Sequence, residues 1–381
     1  MTGACFVRVL HVISGDLWAG AEAQAFTQLA ALHEASVTVA TALLNEGELA
    51  VRLRARGIPV TVLDESRLGA GRILLGLRQL MRAWRPDIVH THRSKENILG
   101  SLANRLAGYV PSVRTVHGAS EDRSRGLRHI ARELQLRADR WCGRHLQNRV
   151  IAVSTQLAGK LANEFTSQRV VVIENGIDVA AVRGKVQPVD FRVAAPQATH
   201  IGIVGRLMPV KRVDLFLESA ALAKKTHPTR DWRWHVIGDG PLRGALCERA
   251  RALGIDAFTT FHGHRNDIVP CLAALDALVI CSDHEGLPMV MLEALAVGTP
   301  VVAHATGGMI DVLQASDRGL LVTEHSAASY ADAIESLITR AASAQPVAPL
   351  PERFTATYNC RALQDLYRTL LQQHTPRESN G

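Results

Sequence analysis

The chain has 381 residues, of which 47% are hydrophobic and 21% charged, and its formal net charge is +7. A single hydrophobic core stops growing at about 250–300 residues, so this length predicts two domains. No apolar run reaches the roughly 18 residues of a membrane-spanning helix, which excludes that class, and the surplus of arginine indicates an anionic partner such as a nucleotide, a nucleic acid or a membrane surface.

The N-terminal run VRVLHVISG alternates like a strand and has no cationic segment before it, so we do not expect a signal peptide. The six cysteines are scattered without the paired spacing of a zinc or dithiol site, which favours a cytoplasmic protein. From this strand onward, short β-branched runs alternate with amphipathic segments of helical length. That alternation predicts parallel sheets covered by helices.

The alternation is interrupted at 184–200, where two prolines and a loss of periodicity predict a linker between domains. We therefore expect an N-terminal domain over 1–188 and a C-terminal domain over 198–355. A final amphipathic helix is expected over 356–374, followed by a frayed tail over 375–381.

Two strands of the first half end in segments that carry histidines. His90 and His92 share one strand face, as two metal ligands can, but the sequence shows no third ligand. We therefore predict buried or cleft-facing imidazoles there and no metal. His117, in TVHG at the end of the next strand, is either a satisfied core histidine or a site residue.

The segment 126–145 predicts a helix with an apolar stripe and a basic remainder. At helical spacing the stripe contains Leu127, Ile130, Leu134, Ala138 and Trp141, and the remainder contains Arg128, Arg132, Arg140 and Arg144. Two interpretations are open. Either the stripe packs on the sheet, as in an ordinary helix, or the helix lies on an anionic membrane surface.

In the second half, Arg206 and Lys211 follow a strand in the run GRLMPVK. Two cations there are suited to neutralise a departing diphosphate, although solvated loop cations are the commoner case. The run IGDGPLRG, with Gly238 and Gly240, imitates a dinucleotide-binding loop. The strand after it offers no acidic residue for a ribose, so it does not predict a dehydrogenase.

Glu285 also follows a strand, and Glu293 lies in the helix behind it, at the edge where open α/β folds bind ligands. Pro288 suits the first turn of that helix and Gly298 its end. Amides from Gly286 onward are placed to hold a phosphate. The alternative interpretation is an acidic first turn and one solvated glutamate.

The run EGLPMVMLEALAVGTPVVA, which begins at Glu285, resembles the donor-site motif of retaining family 4 glycosyltransferases, in which seven residues separate two glutamates. The resemblance implies that Glu285 contacts the donor sugar and that Glu293 holds the ribose hydroxyls. It also assigns Gly286 and Leu287 to the donor site.

Other segments resemble the same family. GRL-x-x-x-K is similar to its diphosphate-binding segment, GDGP to its nucleotide-side turn, ATGG to its next glycine-rich loop, and GAE to its N-terminal Gly-Gly-Ala-Glu loop with Ala19 in place of one glycine. The family usually has a glutamate where this chain has Asp311. His117 resembles the family histidine that faces the transferred sugar. The glycines implied in donor binding are Gly20, Gly205, Gly238, Gly240, Gly307 and Gly308.

The resemblance implies the α/β GT-B fold, with two Rossmann-like domains whose parallel sheets face each other across a cleft and a C-terminal helix that returns to the N-terminal domain. It implies that the N-terminal domain, 1–188, binds the acceptor and that the C-terminal domain, 198–355, binds the nucleotide sugar.

The resemblance also implies a cofactor-free hexosyltransferase that moves a sugar with retention from a nucleoside diphosphate sugar to a glycan or lipid-linked acceptor. No two aspartates lie two residues apart, so the acidic metal-binding motif of the other large glycosyltransferase architecture is absent and we expect the enzyme to be metal-independent. The expected setting is surface polysaccharide, exopolysaccharide or lipid-linked glycan biosynthesis.

We expect no nucleic acid partner, and peripheral contact with the inner face of an anionic cell membrane. Two alternatives stay open: a nucleotide-sugar epimerase of the same fold, and a non-catalytic nucleotide-binding scaffold.

Overall fold

The structure is a computed structural model that describes residues 7–118, 127–341 and 349–374. The described residues divide into two compact units. The N-terminal unit contains the residues up to Gly176 together with those from Arg353 onward, and the C-terminal unit contains Ile177–Glu352. The chain therefore passes between the units at two places.

The N-terminal unit is built on a seven-stranded parallel sheet in the order β3-β2-β1-β4-β5-β6-β7. Nearly all residues of its inner strands are buried, because helices cover both faces of the sheet. The strands of the sheet are β1 (Arg8–Ile13), β2 (Thr38–Leu43), β3 (Val60–Val62), β4 (Ile88–His92), β5 (Ser112–Val116), β6 (Arg149–Ala152) and β7 (Val170–Val172).

The helices that connect these strands are α1 (Gly20–Glu34), α2 (Glu48–Ala55), α3 (Ala70–Trp84), α4 (Ser94–Ala107), α5 (Leu127–His145) and α6 (Thr155–Phe165). The start of α6 has a local cause, since the Ser154 hydroxyl accepts a hydrogen bond from the Leu157 amide. Because β1 lies between β2 and β4, the carboxyl ends of β1 and β4 flank a switch in strand order, where open α/β sheets bind ligands.

The C-terminal unit has a six-stranded parallel sheet in the order β10-β9-β8-β11-β12-β13, which places the corresponding switch between β8 and β11. Its strands are β8 (Thr199–Val204), β9 (Trp232–Ile237), β10 (Thr259–Gly263), β11 (Ala277–Ile280), β12 (Val301–His304) and β13 (Gly319–Val322). Its helices are α7 (Val179–Arg183), α8 (Asp190–Ala194), α9 (Val213–Thr226), α10 (Arg243–Ala252), α11 (Ile268–Ala273), α12 (Met289–Val297), α13 (Gly308–Leu313) and α14 (Ala327–Ala341).

The last helix, α15 (Ala356–His374), belongs to the N-terminal unit. Its residues Leu363, Tyr367 and Leu370 are buried in one core with Val9 of β1 and Leu29 of α1. The expected return of the C-terminal helix is therefore confirmed. None of the described helices has both the length and the apolar composition that crossing a bilayer requires.

The segment expected as a linker, 184–200, is more ordered than its sequence indicated. It contains α8 and the start of β8, and the division between the units lies before it, after Gly176. Val189 is buried against Ile237 and Cys271, and Phe191 packs beside them. A helix of one turn is too short to show a hydrophobic period, so no pattern along the chain predicted it.

Candidate active site

The carboxyl ends of β8 and β11 bring together the residues that the sequence singled out in the second half. The loop after β8 carries Lys211, and the loop between β11 and α12 carries Glu285. The Lys211 Nζ donates a hydrogen bond of 2.6 Å to Oε1 of Glu285, and both side chains are largely buried. Residues 74 positions apart thus form one ion pair at the switch point.

Two further contacts hold these loops together. The Asp283 amide donates to the Val210 carbonyl oxygen at 2.8 Å. The Arg212 guanidinium, next in the chain to Lys211, pairs with Asp214 at 2.9 Å and with Asp283 at 3.3 Å. Arg212 and Asp283 were not predicted from the sequence. The available signal was their position, one directly after the predicted cation and the other two residues before the predicted glutamate.

Arg206 differs from its neighbour Lys211 in its surroundings. Its side chain is exposed, and it forms no ion pair with any residue that the structure describes. It borders an open cleft whose other lining residues include Gly205, Leu207, Lys211, Ser282, Glu285 and Pro288. The cleft therefore has one unpaired guanidinium at its edge and one lysine–glutamate pair in its wall.

Glycines of the β9–α10 loop allow it to pack directly on the β8–α9 loop. A Cβ at Gly238, whose φ is 139°, would come within 1.9 Å of the Gly205 carbonyl oxygen. A Cβ at Gly240 would come within 2.6 Å of the Leu207 carbonyl oxygen. Any side chain at either position would push the two loops apart.

The second glycine pair packs on the loop that carries Glu285. A Cβ at Gly308 would lie 2.8 Å from the Gly286 carbonyl oxygen, which accepts a hydrogen bond of 2.6 Å from the Gly308 amide. Gly307 packs on the same loop, and Leu287 is buried beside Gly308. Asp311 follows in the first turn of α13.

Glu293 lies in the second turn of α12, the helix that begins just after Pro288 and ends at Gly298 with a left-handed φ of 91°. Pro288 is thus one residue before the first turn, as its N-cap. Burial raises the pKa of the Glu293 carboxyl, and the Lys185 ammonium opposes that rise only in part. A carboxylate that has lost water in this way gains from ligand hydroxyls that donate to it.

The other predicted residues belong to the N-terminal unit. Gly20 is the first residue of α1, and nothing described lies within 4 Å of a Cβ built there, so packing does not require glycine at this position. His117 follows β5, and its Nε2 lies 3.0 Å from Nδ1 of His92. The expectation that no third histidine joins His90 and His92 is wrong, because β1 places the buried His11 beside both.

The structure of α5 contradicts one of the two interpretations, in which the apolar stripe packs on the sheet. Gly126 and the side chains of Leu127 and Arg128 lie outside the described residues. Of the remaining stripe, Ile130, Leu134 and Trp141 are 58%, 59% and 51% exposed, so these residues do not pack on the sheet.

The buried face of α5 carries a polar anchor instead of the apolar stripe. Asp139 is buried there, where its carboxylate pairs with Arg114 at 2.8 Å and accepts a hydrogen bond of 2.7 Å from Asn97. Cys142 is buried beside it. A paired and hydrogen-bonded charge thus fixes which side of the helix faces the sheet.

Comparison with known families covers most of the chain. Residues 18–181 match the family described as Glycosyltransferase Family 4, and residues 198–340 match Glycosyl transferases group 1.

Among curated relatives, the UDP-Gal:alpha-D-GlcNAc-diphosphoundecaprenol alpha-1,3-galactosyltransferase of Escherichia coli is 25% identical over 343 residues, which cover 86% of this chain and 87% of the relative. The 2-deoxystreptamine N-acetyl-D-glucosaminyltransferase of Streptomyces fradiae is 30% identical over 306 residues, or 76% of this chain and 71% of the relative. The chain spans only 63% of the length of another relative, the glycogen synthase of Mycobacterium tuberculosis, with 29% identity over 69% of this chain.

Among solved structures, Anabaena HepE in complex with UDP and glucose superposes with a TM-score of 0.79 and 19% identity, over 95% of this chain and 100% of that one. That likeness and the two parallel-sheet units agree on the architecture. The chain therefore has the α/β GT-B fold and belongs to the group 1 glycosyltransferases.

Proposed function

We propose that this glycosyltransferase moves a sugar from a nucleoside diphosphate sugar to an acceptor hydroxyl, with retention of anomeric configuration and without a metal ion. The observation that carries the proposal is the pair of Lys211 and Glu285 beside the exposed Arg206 at the β8–β11 switch point. This constellation offers two cations to a diphosphate and one carboxylate to a sugar.

The cations support binding of a leaving diphosphate. Arg206 has a planar fork of donors that suits phosphate oxygens, and it has no described partner to give up. Lys211 would exchange part of its contact with Glu285 for phosphate, and Arg212 and Asp283 would hold its loop in place. Both contacts strengthen as negative charge grows on the leaving group, which lowers the barrier.

The two glutamates are proposed to contact different parts of the donor. Glu285, in the wall of the cleft, is proposed to accept hydrogen bonds from the transferred sugar. Glu293, whose burial leaves its carboxylate short of water, is proposed to accept the ribose hydroxyls. Gly286 and Leu287 and the glycine loops that pack beside them are proposed to hold the rest of the donor.

The reaction is proposed to proceed on one face of the sugar. The bond between the anomeric carbon and the diphosphate oxygen breaks, the acceptor oxygen bonds to the same face, and the acceptor proton passes to the leaving phosphate oxygen. No protein base is needed for this step. His117 of the N-terminal unit is proposed to contact the transferred sugar, and Gly20 to line the donor site.

The relatives indicate which substrates to test first. The name of the Escherichia coli relative contains a UDP-sugar donor and a lipid-diphosphate acceptor, and Anabaena HepE was solved with UDP and glucose. We propose a UDP-sugar donor and a glycan or lipid-linked acceptor for this chain, within surface polysaccharide or lipid-linked glycan synthesis.

The exposed stripe of α5 supports peripheral contact with a membrane, and so a site of action at the inner face of the cell membrane. Arg137 lies on the same helical face as Ile130, Leu134 and Trp141, and it too is exposed. An apolar stripe with a cation in it suits the boundary of an anionic bilayer. Arg140 and Arg144 are less suited than expected, because both contact Glu164 of α6.

The decisive experiment screens nucleotide sugars by thermal shift and then supplies the best donor with lipid-linked acceptors, in the presence and absence of EDTA. We expect a product of retained configuration and equal rates in both conditions. Loss of activity in EDTA that manganese restores would contradict metal independence. Epimerised donor without transfer would assign an epimerase, and binding without turnover would assign a scaffold.

A further inference from the structure

Three histidines of the N-terminal unit form a row across three neighbouring strands. His11 lies on β1, His92 ends β4, and His117 follows β5. Nδ1 of His11 is 3.2 Å from Nε2 of His92, and Nδ1 of His92 is 3.0 Å from Nε2 of His117. Both are distances of hydrogen bonds, so both ring nitrogens of His92 are engaged.

All three rings are neutral, which limits how the row can be arranged. Burial lowers the pKa of His11 and of His117 to about 3, and it holds the pKa of His92 well below its usual value. A neutral imidazole has one N–H and one lone pair. His92 must therefore accept from one neighbour and donate to the other. Either His11 donates to His92 and His92 donates to His117, or His117 donates to His92 and His92 donates to His11.

The ends of the row favour one direction. Nε2 of His11 and Nδ1 of His117 are buried, and neither has a partner among the described residues. Each direction leaves one buried N–H without a described acceptor, at Nε2 of His11 or at Nδ1 of His117. Such an N–H is rare in proteins unless a ligand or water accepts it. His11 is fully buried within β1, whereas His117 is partly exposed just after β5, so a ligand oxygen reaches the His117 end more readily. The direction that begins at His11 places the N–H at that end.

A second row of three histidines, in the C-terminal unit, ends at a backbone carbonyl group. Nε2 of His200 donates to the Ala195 carbonyl oxygen at 2.8 Å, so Nδ1 of His200 must accept. His235 and then His262 consequently donate through Nε2, each over 2.9 Å. A carbonyl group fixes the direction of that row, whereas no described carbonyl oxygen caps either end of the first.

The same histidines do not have the geometry of a metal site. His90 lies beside His11 and His92, but its Nδ1 is 2.7 Å from the Tyr367 hydroxyl and its Nε2 is 2.7 Å from the Thr115 hydroxyl. The His90 and His92 rings are stacked 4.6 Å apart at an angle of 9°. Lone pairs lie in the ring planes, so those of stacked rings do not converge on one ion.

We propose that His11 and His92 are positioning residues that hold His117 as the tautomer with its proton on Nδ1. His117 then presents an N–H donor to an oxygen of the transferred sugar. The part that concerns the sugar rests on the proposed function, whereas the tautomer is a property of the free protein.

The test compares His92→Leu, which removes both bonds, with His92→Gln, which keeps one donor and one acceptor. His90→Leu is the matched control, since His90 is equally buried on the same strand face but lies outside the row. Nitrogen NMR of histidine-labelled protein reports which ring nitrogen of His117 carries the proton, with the signal assigned through His117→Gln. The same proteins are assayed for transfer, and zinc binding is measured on the metal-free wild type.

We expect the Nδ1 proton in the wild type and in His90→Leu, and a shift towards the Nε2 proton in His92→Leu. We expect kcat to fall roughly tenfold in His92→Leu, the loss of about one oriented hydrogen bond, and to recover in part in His92→Gln. An Nε2 proton in the wild type, or a tautomer that His92→Leu leaves unchanged, would overturn the proposal.

Two other outcomes separate the proposals from each other. Stoichiometric zinc that His11→Leu abolishes would overturn the row in favour of a metal site. The predicted tautomers in a protein that transfers no sugar would support the row and overturn the proposed function.

Discussion

Gly307 lies so close to Glu285 that a Cβ at position 307 would stand 2.0 Å from the Glu285 carbonyl oxygen. Its φ of 58° is also in the left-handed region. Because the Glu285 side chain is bonded to Lys211, any displacement of this loop moves the ion pair as well. We predict that Gly307→Ala lowers activity at least tenfold and the free energy of unfolding by more than about 2 kcal/mol.

Gly254 is the control for this substitution. Its φ is 67°, but nothing lies within 4 Å of a Cβ built there, so Gly254→Ala should cost only the roughly 1–2 kcal/mol of the left-handed backbone and leave activity intact. Urea denaturation and a transfer assay make the comparison. Equal activity in the two variants would show that the contact with Glu285 is unimportant.

The second prediction concerns the diphosphate. Arg206→Ala and Lys211→Ala should each lower kcat by roughly two to three orders of magnitude, since each removes a contact that strengthens in the transition state. Arg251→Ala, at an exposed position on α10, should keep the wild-type rate. Turnover of both site variants within a few fold of the wild type would remove the basis for the proposed donor site.

The third prediction separates the two glutamates. Glu293→Ala should chiefly weaken binding of UDP, because the ribose is common to donor and product, whereas Glu285→Gln should lower turnover and leave UDP affinity near that of the wild type. Calorimetry with UDP decides this. The raised pKa of Glu293 adds a test: affinity of the wild type should be full above that pKa and fall as the pH drops through it. Glu293→Ala should lack that fall.

The fourth prediction is the acid sensitivity of the N-terminal unit. Loss of contact with water lowers the pKa of His11 and of His117 to about 3, and it holds the pKa values of His90 and His92 far below 6.5. The unfolded chain therefore binds more protons than the folded one between pH 6.5 and 3. Stability is fully present above pH 6.5 and should fall with acidification, by up to about 1.4 kcal/mol per pH unit for each imidazole.

Two described carboxyl groups of the unit, Glu22 and Glu96, oppose this trend, because burial raises the pKa of both. Burial raises the pKa of Glu96 to about 7, so its contribution increases as the pH falls from 7 to its unfolded value of 4.5, and it offsets about one imidazole. Urea denaturation at a series of pH values should show a smaller slope in His11→Asn and an unchanged slope in His33→Gln, whose histidine is exposed on α1. An unchanged slope in His11→Asn would contradict the prediction.

The fifth prediction is salt-sensitive binding to anionic vesicles through α5. Changing Ile130, Leu134 and Trp141 to glutamine should abolish sedimentation with such vesicles and preserve donor binding. The matched control changes Val51, Leu75 and Leu106, equally exposed apolar residues of α2, α3 and α4, and should sediment like the wild type. Equal loss in both triple variants would indicate a general effect of surface hydrophobicity.

Several features of the site could be predicted from the sequence because they depend on local order. Residues that directly follow parallel strands meet at one edge of a sheet, which is why Lys211 and Glu285 were both expected at the site. The contact between them required more, since it depends on β8 and β11 being neighbours. No local pattern states the order of strands in a sheet.

Two features could not be predicted from the sequence, because both depend on contacts between separate elements. His11 lies beside His92 because β1 is next to β4, and the sequence pattern around His11 indicated only a strand. The periodicity of α5 showed that Ile130 and Trp141 share a face, but not that this face is exposed. That outcome depends on Asp139 meeting Arg114 of a different strand.

The two places where the chain passes between the units lie side by side. A Cβ at Gly176 would be 2.3 Å from the Thr355 carbonyl oxygen, and Asn359 donates to the Glu174 carbonyl oxygen at 2.7 Å. The C-terminal unit is therefore an insertion whose two ends are clamped together, and its core shares no residue with that of the N-terminal unit. A segment whose two ends lie close together can be replaced as a unit. On the proposed function, replacing residues 177–352 between the two crossings would exchange the donor site and keep the N-terminal unit that is proposed to bind the acceptor.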